Sequence, residues 1–166
     1  MSGKTSSSSS SSLAKGINAQ DTQAELHRKG ESNRREVMGS TFVDRALSSA
    51  SPFSLAIQDF ATTHAWGAVW GREGLSPRDR SLLNIGMLTA LDKQNELAGH
   101  VRGALNNGLG EKEIQEALIQ ATIYSGMPAG MAAFRTADTV LKSWREDHGL
   151  KPDEVIPAAP RGRQGA

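Results

Sequence analysis

The sequence predicts an all-α domain in which the helices pack as a bundle with short connections. Three observations lead to this prediction. Apolar residues recur at helical spacing through the second half of the chain, residues typical of helix starts and ends flank those stretches, and no segment shows the alternation of a β-strand. The 166 residues, 37% of them hydrophobic, are enough for one domain with a substantial core.

The predicted domain lies between two tails of biased composition. Ser6 to Ser12 is an unbroken serine run, which cannot bury apolar surface. We therefore expect residues 1–20 to be a disordered Ser-rich tail and residues 21–150 to form the helical domain. Residues 151–166 contain three prolines and two glycines, which predicts an extended C-terminal tail.

The first half of the domain gives the weaker helical signals. Residues 25–37 are polar and basic and predict a first helix, or a helix with a loop. Ser40 or Thr41 is a candidate N-cap for a short second helix, and Pro52 is a candidate first residue of a third. Three glycines then interrupt the helical pattern: Gly67, Gly71 and Gly74.

The second half begins with a helix whose start is clearly marked. Ser76 is a typical N-cap, Pro77 suits the first helical position, and Asp79 lies in the first turn. The helix is apolar on most sides, so we expect it to lie at the centre of the bundle. Its apolar residues are Leu82, Leu83, Ile85, Met87, Leu88 and Leu91.

Three more helices are predicted after this one. The first covers residues 94–107 and stops at Gly108, and the second covers residues 110–125 and stops at Gly126. The last starts at Pro128. Its predicted buried stripe consists of Phe134, Ala137, Val140, Leu141 and Trp144.

Composition excludes several classes of function. The net charge is +1, so no overall field attracts the chain to nucleic acid or to an acidic membrane. The chain has no cysteine, which excludes disulfides, thiolate metal sites and cysteine nucleophiles. Its four histidines are scattered without a metal-binding spacing, so we expect no metal. Without a membrane-spanning run or a hydrophobic leader, we expect a cytoplasmic protein.

Glu96 and His100 form the most informative candidate pair. They lie four residues apart, so on a helix they share one face. A carboxylate beside an imidazole can orient it, raise its pKa and hold a proton ready for transfer. Taken alone, such a pair is more often a surface ion pair worth a few tenths of a kcal/mol.

Arginine and aromatic residues supply candidates for substrate binding. Arg34 and Arg35 could hold carboxylates in the fork geometry of the guanidinium, and Arg80 is a further candidate. Adjacent arginines are more often a solvated basic face. Trp66, Trp70 and Tyr124 could line a small pocket, although aromatic residues at helical spacing are more often core.

Short motifs in a fixed order resemble the carboxymuconolactone decarboxylase family. They extend over about residues 30 to 145. In chain order they fall at residues 34–39, 52–53, 65–67, 80–82, 96–102, 104–108, 121–124, 126, 128–129 and 133–135. Each motif is short, but the ordered set is specific, with Arg-Arg-Glu-Val at its start and Glu-Leu-Ala-Gly-His at its centre.

The resemblance implies a fold, an assembly and a reaction. The family fold is an all-α bundle, similar to alkyl hydroperoxidase D, that assembles as a ring-like homo-oligomer, a trimer or hexamer. The reaction implied is cofactor-free decarboxylation of 4-carboxymuconolactone to the enol-lactone of 3-oxoadipate, in the breakdown of protocatechuate. The peroxidase branch works through a CxxC pair, which a chain without cysteine cannot supply.

Within that reaction, the resemblance assigns roles to the candidate residues. His100, oriented by Glu96, would protonate ring carbon after CO2 loss, and Tyr124 or His100 would stabilise the enolate oxygen. Arg34 or Arg35, with Arg80, would hold the carboxylates, beside Trp66. Two alternatives remain open: a family decarboxylase or cyclase acting on another carboxylated substrate such as an aromatic polyketide, and a non-enzymatic oligomeric binding protein.

Overall fold

The computed structural model describes residues 21–160, and this part of the chain folds as an all-α bundle without a β-strand. The predicted disorder of residues 1–20 falls outside the described residues, as do residues 161–166 of the C-terminal tail. No helix in the described range has the length and apolar character needed to cross a membrane.

The first two helices of the described range are joined by one glycine. Helix α1 is Gln23–Met38, and Thr22 caps it in a capping box with Glu25. Helix α2 is Ser40–Ser48. The prediction that Ser40 or Thr41 caps α2 is wrong, because the cap position is Gly39, whose φ of +86° lets the chain turn directly from one helix into the next.

The next helix runs without a break into a rarer conformation. Helix α3 is Pro52–Phe60, with Pro52 in its first turn and Ser51 as its N-cap. A π-helix then follows at Ala61–Gly67. Gly67 was expected to interrupt the helical pattern, but it lies inside this π-helix. Its Cα faces the backbone of α1, and an added Cβ would come within 2.2 Å of the Leu26 carbonyl oxygen.

Four helices of 13 to 21 residues make up the rest of the bundle. They are α4, Pro77–Ala90; α5, Gln94–Asn106; α6, Glu111–Ser125; and α7, Met127–Asp147. Ser76 caps α4 as predicted, and Gly108 and Gly126 follow α5 and α6 with positive φ. Their facing sides enclose the larger apolar core, which includes Ile85, Leu97 and Leu118.

Two helices are more exposed than their apolar character predicts. Helix α4 buries only Ser81, Ile85 and Thr89, so its expected position at the centre is wrong in the isolated chain. Helix α3 has no buried residue at all. Large apolar side chains on the two helices face outward: Phe53, Leu55, Ile57 and Phe60 on α3, and Leu83 and Met87 on α4.

The C-terminal segment has no regular secondary structure and packs on its own chain. The amide of Glu111 donates to the Ile156 carbonyl at 2.9 Å, and the Ile156 side chain is buried in the larger core. The buried Arg145 donates from Nε to the Glu154 carbonyl and pairs with the Glu111 carboxylate. Residues 151–160 therefore cover the start of α6.

Candidate active site

A stack of three rings lies where the π-helix meets α5. The Trp66 side chain from the π-helix is buried, and its ring stacks on Trp70 with centroids 4.9 Å apart. The His100 ring from α5 is nearly parallel to both indoles, with centroid distances of 6.2 Å and 6.3 Å. The imidazole is therefore offset against an apolar aromatic surface.

The half-buried His100 has one neutral hydrogen-bonding partner. Asn84 of α4 places its amide Nδ2 3.4 Å from His100 Nδ1. Burial lowers the pKa of His100 below its ordinary value of 6.5, while the field of Glu96 acts in the opposite direction with a smaller effect. Burial therefore favours the uncharged form of the ring.

Glu96 has a smaller part at the ring than its spacing led us to expect. It is exposed near the start of α5, and within residues 21–160 it forms no hydrogen bond with His100. Glu96 acts on His100 through its charge alone. The hydrogen bond that was expected from this carboxylate comes from the Asn84 amide, because Asn84 projects from the neighbouring helix towards the ring.

Arg34 is a buried cation held by neutral groups. It extends from α1 with an exposed fraction of 7%, and it donates to Thr62 Oγ1 at 3.2 Å and to Gln58 Oε1 at 2.7 Å. No carboxylate of the described range pairs with it. Burial, and then the charge of Arg35, lower its pKa. A guanidinium left unpaired in this way favours an anionic ligand.

Arg35, the next residue, is already neutralised by the protein. Its guanidinium donates to Asp44 at 2.7 Å and to Glu31 at 3.1 Å, and these hydrogen bonds, Asp44 first, raise its pKa. Adjacent residues on a helix point about 100° apart, so Arg34 faces the π-helix while Arg35 faces α2. The structure therefore does not bring the two arginines together as one carboxylate clamp.

Arg80 and Tyr124 lie outside the ring stack. Arg80 Nη2 donates to the Arg72 carbonyl at 2.9 Å, which ties α4 to the loop after Trp70, while its buried Nε has no partner within the described range. Tyr124, at the end of α6, is 82% exposed and forms no ring contact with His100 or Trp66. Within one chain, Tyr124 therefore does not contact the three stacked rings.

A separate groove lies between α2, α5 and α7. Its volume is about 550 Å³, and Arg45 and Arg102 are among its lining residues. Arg102 donates to Ser143 and Asp147 and lies over the Trp144 ring, so its charge is already satisfied. No cluster of three or more potential metal ligands occurs within the described residues.

Three contributors were not predicted from the sequence: Asn84, Thr62 and Gln58. Asn84 has a signal in hindsight, because a polar, helix-disfavouring residue stands between apolar neighbours in a helix. Thr62 and Gln58 have little signal, since their contacts with Arg34 depend on how the π-helix and α3 pack on α1, which the sequence pattern does not reveal.

The π-helix contacts both the candidate anion-binding residue, Arg34, and the stacked His100 ring. Thr62 holds Arg34, and one turn later Trp66 stacks on His100. Asn33 of α1 donates to the Trp66 carbonyl at 2.9 Å, which fixes α1 against the same turn. An unpaired cation, an apolar wall and an uncharged imidazole can bind a carboxylate, exclude water from it and donate a hydrogen bond.

The sequence is similar to known proteins over most of its length. Residues 56–139 match the model of the Carboxymuconolactone decarboxylase family. A 4-carboxymuconolactone decarboxylase of Acinetobacter baylyi is 37% identical over 129 residues, which cover 78% of this chain and 93% of that protein. A nitrosuccinic acid decarboxylase of Metarhizium robertsii is 43% identical over 116 residues, covering 68% of this chain and 81% of that protein.

Proposed function

The chain belongs to the carboxymuconolactone decarboxylase family, and from this premise we propose that it is a cofactor-independent carboxy-lyase acting on 4-carboxymuconolactone. The product would be the enol-lactone of 3-oxoadipate, in aromatic-acid breakdown. The observation that carries the proposal is the buried Arg34, unpaired with any described carboxylate and held by the same π-helix that stacks Trp66 on His100.

The substrate itself can accept the electrons that CO2 leaves behind. The leaving carboxylate sits on a ring carbon conjugated through an alkene to the lactone carbonyl. When the carbon–carboxylate bond breaks, its electron pair moves along this path to the lactone oxygen and gives a dienolate. A proton then adds to carbon. The protein has to hold the carboxylates, keep water from the one that leaves and stabilise the developing charge.

The residues around the π-helix suit these tasks. Arg34 would bind a carboxylate through guanidinium N–H groups not used by Thr62 and Gln58. The indoles of Trp66 and Trp70 would keep water from the leaving group, because a carboxylate loses CO2 more readily when it is less hydrated. Chemistry offers His100 two roles: donating a hydrogen bond to the enolate oxygen, or delivering the proton to carbon.

A second candidate substrate comes from the relative that acts on nitrosuccinic acid. Nitrosuccinate, like the lactone, is a small molecule with two carboxylates and an electron-accepting group. Loss of the carboxylate beside the nitro group leaves a nitronate, with the charge on nitro oxygens. The same three tasks apply, so Arg34 and His100 would serve this substrate in the same way.

Turnover of both substrates by the purified protein tests the proposal. We expect CO2 release and enol-lactone formation from 4-carboxymuconolactone, with nitrosuccinate as the comparison. His100→Ala should lose most of the activity, whereas His148→Ala, at the end of α7, should retain it. Arg34→Lys should lower kcat/KM by roughly 10- to 100-fold, because lysine cannot reproduce a forked charge-assisted hydrogen bond.

Arg35→Lys is the matched control for Arg34→Lys, since Arg35 already pairs with Asp44 and Glu31. We expect it to change kcat/KM much less. Equal losses in both variants would contradict the role given to Arg34. A folded protein that turns over only nitrosuccinate would replace the lactone with that substrate. Turnover of neither would favour a different carboxylated substrate, such as an aromatic polyketide, or a binding function.

We also propose that the chain works as a homo-oligomer, a trimer or a hexamer. The exposed apolar side chains of α3 support this, since the helix buries none of its own residues and Phe53 is 92% exposed. Light scattering coupled to gel filtration should give a mass three or six times that of one chain, and Phe53→Ser should reduce it. A monomer at all concentrations would contradict the proposal.

A further inference from the structure

Asn84 is the residue that hydrogen-bonds to His100 and that no sequence pattern assigned. It lies on the half-buried side of α4, next to Ile85, and reaches the His100 ring across the contact between α4 and α5. Asparagine is unfavourable in a helix interior, and a half-buried amide needs a hydrogen-bonding partner. Within the described range, the partner of Asn84 is His100 Nδ1.

The orientation of the Asn84 amide, with Nδ2 rather than Oδ1 towards the ring, determines which of the two groups donates. The Nδ2 of an asparagine amide carries two hydrogens and has no lone pair to offer, so it can only donate. His100 Nδ1, 3.4 Å away, must therefore accept with its lone pair. A neutral imidazole carries one proton. If Nδ1 is the acceptor, that proton is on Nε2, at the other edge of the ring.

We propose that Asn84 is a positioning residue that holds His100 as the neutral Nε2–H tautomer, so that Nε2 donates a hydrogen bond to the substrate oxygen on which charge develops. The substrate part of this inference rests on the proposed function. The tautomer is a property of the protein without substrate, and it can be measured separately. Of the two roles that chemistry offers His100, the contact with Asn84 favours oxyanion stabilisation.

The reaction balances without proton transfer from His100. The carbon–carboxylate bond breaks, CO2 leaves, and the electron pair moves to the lactone oxygen, which accepts the Nε2–H hydrogen bond. Water then gives a proton to the carbon, and the hydroxide that remains combines with CO2 to form bicarbonate. The imidazole begins and ends the cycle in the same protonation state, as a donor set in place before charge develops.

The surroundings of the ring agree with an uncharged His100. Trp66 and Trp70 on one side and Asn84 on α4 carry no charge. In the described range, Glu96 on α5 is the one charged group that acts on the ring, and its effect is smaller than that of burial. An imidazolium would also place an Nδ1–H against the Asn84 amide N–H, which is two donors facing each other.

Long-range ¹H–¹⁵N NMR of the uniformly ¹⁵N-labelled, substrate-free protein tests the tautomer directly. At pH 7.5 we expect His100 to show a protonated Nε2 and an unprotonated Nδ1. Asn84→Asp should reverse this preference, because a carboxylate accepts from Nδ1–H, and should raise the pKa of His100. Asn84→Ala should give a mixture of tautomers. Asn95→Ala, an exposed position on α5, is the matched control and should leave the tautomer unchanged.

Kinetics supply a readout that loss of packing would not move. Asn84→Ala should lower kcat by roughly tenfold with little change in KM, because the hydrogen bond forms as charge develops. The wild-type kcat should stay constant as pH rises from 6.5, the ordinary histidine value. If His100 instead delivered a proton as imidazolium, kcat would fall about tenfold per pH unit above its pKa.

The possible outcomes separate this inference from the proposed function. A protonated Nδ1 in the wild type, or a tautomer that stays the same in both Asn84 variants, would overturn the positioning role. A kcat that falls steadily above the pKa of His100 would overturn the oxyanion role. The expected tautomer in a protein that turns over neither substrate would refute the proposed function and leave the assignment of Asn84 to the His100 tautomer intact.

Discussion

The two halves of the bundle differ in what they bury. Helices α4 to α7 share a core of apolar side chains closed by Ile156 from the C-terminal segment. The half formed by α1, α2 and the π-helix has a much smaller apolar cluster in the described range: Val37, Met38, Val43 and Trp66. Each half buries three polar residues, Arg34, Thr62 and Thr63 here and Ser81, Thr89 and Arg145 in α4 to α7, so polar groups form a larger share of what the first half buries.

This difference indicates that the helices that contribute most to stability are not the ones that supply most of the candidate site. Buried apolar area is the main favourable contribution to folding, so we expect α4 to α7 to provide most of the unfolding free energy. A buried guanidinium and an uncharged imidazole are instead useful for binding an anion. His100 comes from the half with the larger apolar core and Trp66 from the half with the smaller one, so the candidate site lies at their boundary.

Leu118→Ala should have the largest effect on stability, because it removes apolar burial from the larger core. Leu118 is fully buried in the larger core, and its truncation should lower the free energy of unfolding by about 2–5 kcal/mol, from lost apolar burial and the cavity that remains. Urea denaturation followed by circular dichroism measures the loss. Its neighbour Ile119 is 45% exposed, and Ile119→Ala should cost far less.

Met38→Ala examines the same quantity in the smaller cluster. Met38 is 7% exposed, beside Gly99 and Gly103 of α5. Its truncation should cost less than that of Leu118, because fewer apolar groups surround it. If Met38→Ala cost as much as Leu118→Ala or more, the two halves would not differ in stability as we infer.

Gly30→Ala tests how closely α1 lies against the π-helix. A Cβ at this position would come within 1.9 Å of the Thr62 carbonyl oxygen, so the two helices would have to separate. We expect a loss of about 1–3 kcal/mol in unfolding free energy, with a change in tryptophan fluorescence as Trp66 moves. The control is Gly86→Ala, whose Cβ meets nothing within 4 Å and should stabilise α4 by about 0.5–1 kcal/mol. Equal effects at the two positions would contradict the close contact.

Sequence reasoning succeeded where local rules determine structure. Ser76 with Pro77, and glycine at positions 108 and 126, set the ends of α4, α5 and α6, because caps depend on only a few neighbouring residues. Spacing also put Glu96 and His100 on one face of α5. The order of motifs identified the family before any contact was known.

What the sequence could not predict depends on contacts between distant segments. Gly30 and Gly67 allow two backbones to meet, but a glycine in a sequence does not show what it approaches. Arg34 and Arg35 differ in role only because α1 places one against the π-helix and the other against Asp44. The contact of Asn84 with His100 follows from the packing of α4 on α5, which periodicity does not specify.

The pH dependence of stability is the smallest of the expected effects and concerns the boundary itself. Because the pKa of His100 is lower in the folded protein than its ordinary 6.5, folding favours the uncharged ring. This stabilisation is fully present above pH 6.5 and is lost as pH falls through the lower pKa of the folded state, with a slope of at most about 1.4 kcal/mol per pH unit. His100→Gln lacks this contribution. The stability of the wild type minus that of the variant, measured by urea denaturation from pH 7.5 to 5, should therefore decrease towards acid. Taking the difference removes the contributions of carboxylates, which the two proteins share. A constant difference would mean that burial and the charge of Glu96 cancel, and a difference that grows towards acid would mean that Glu96 rather than burial controls the pKa of the ring.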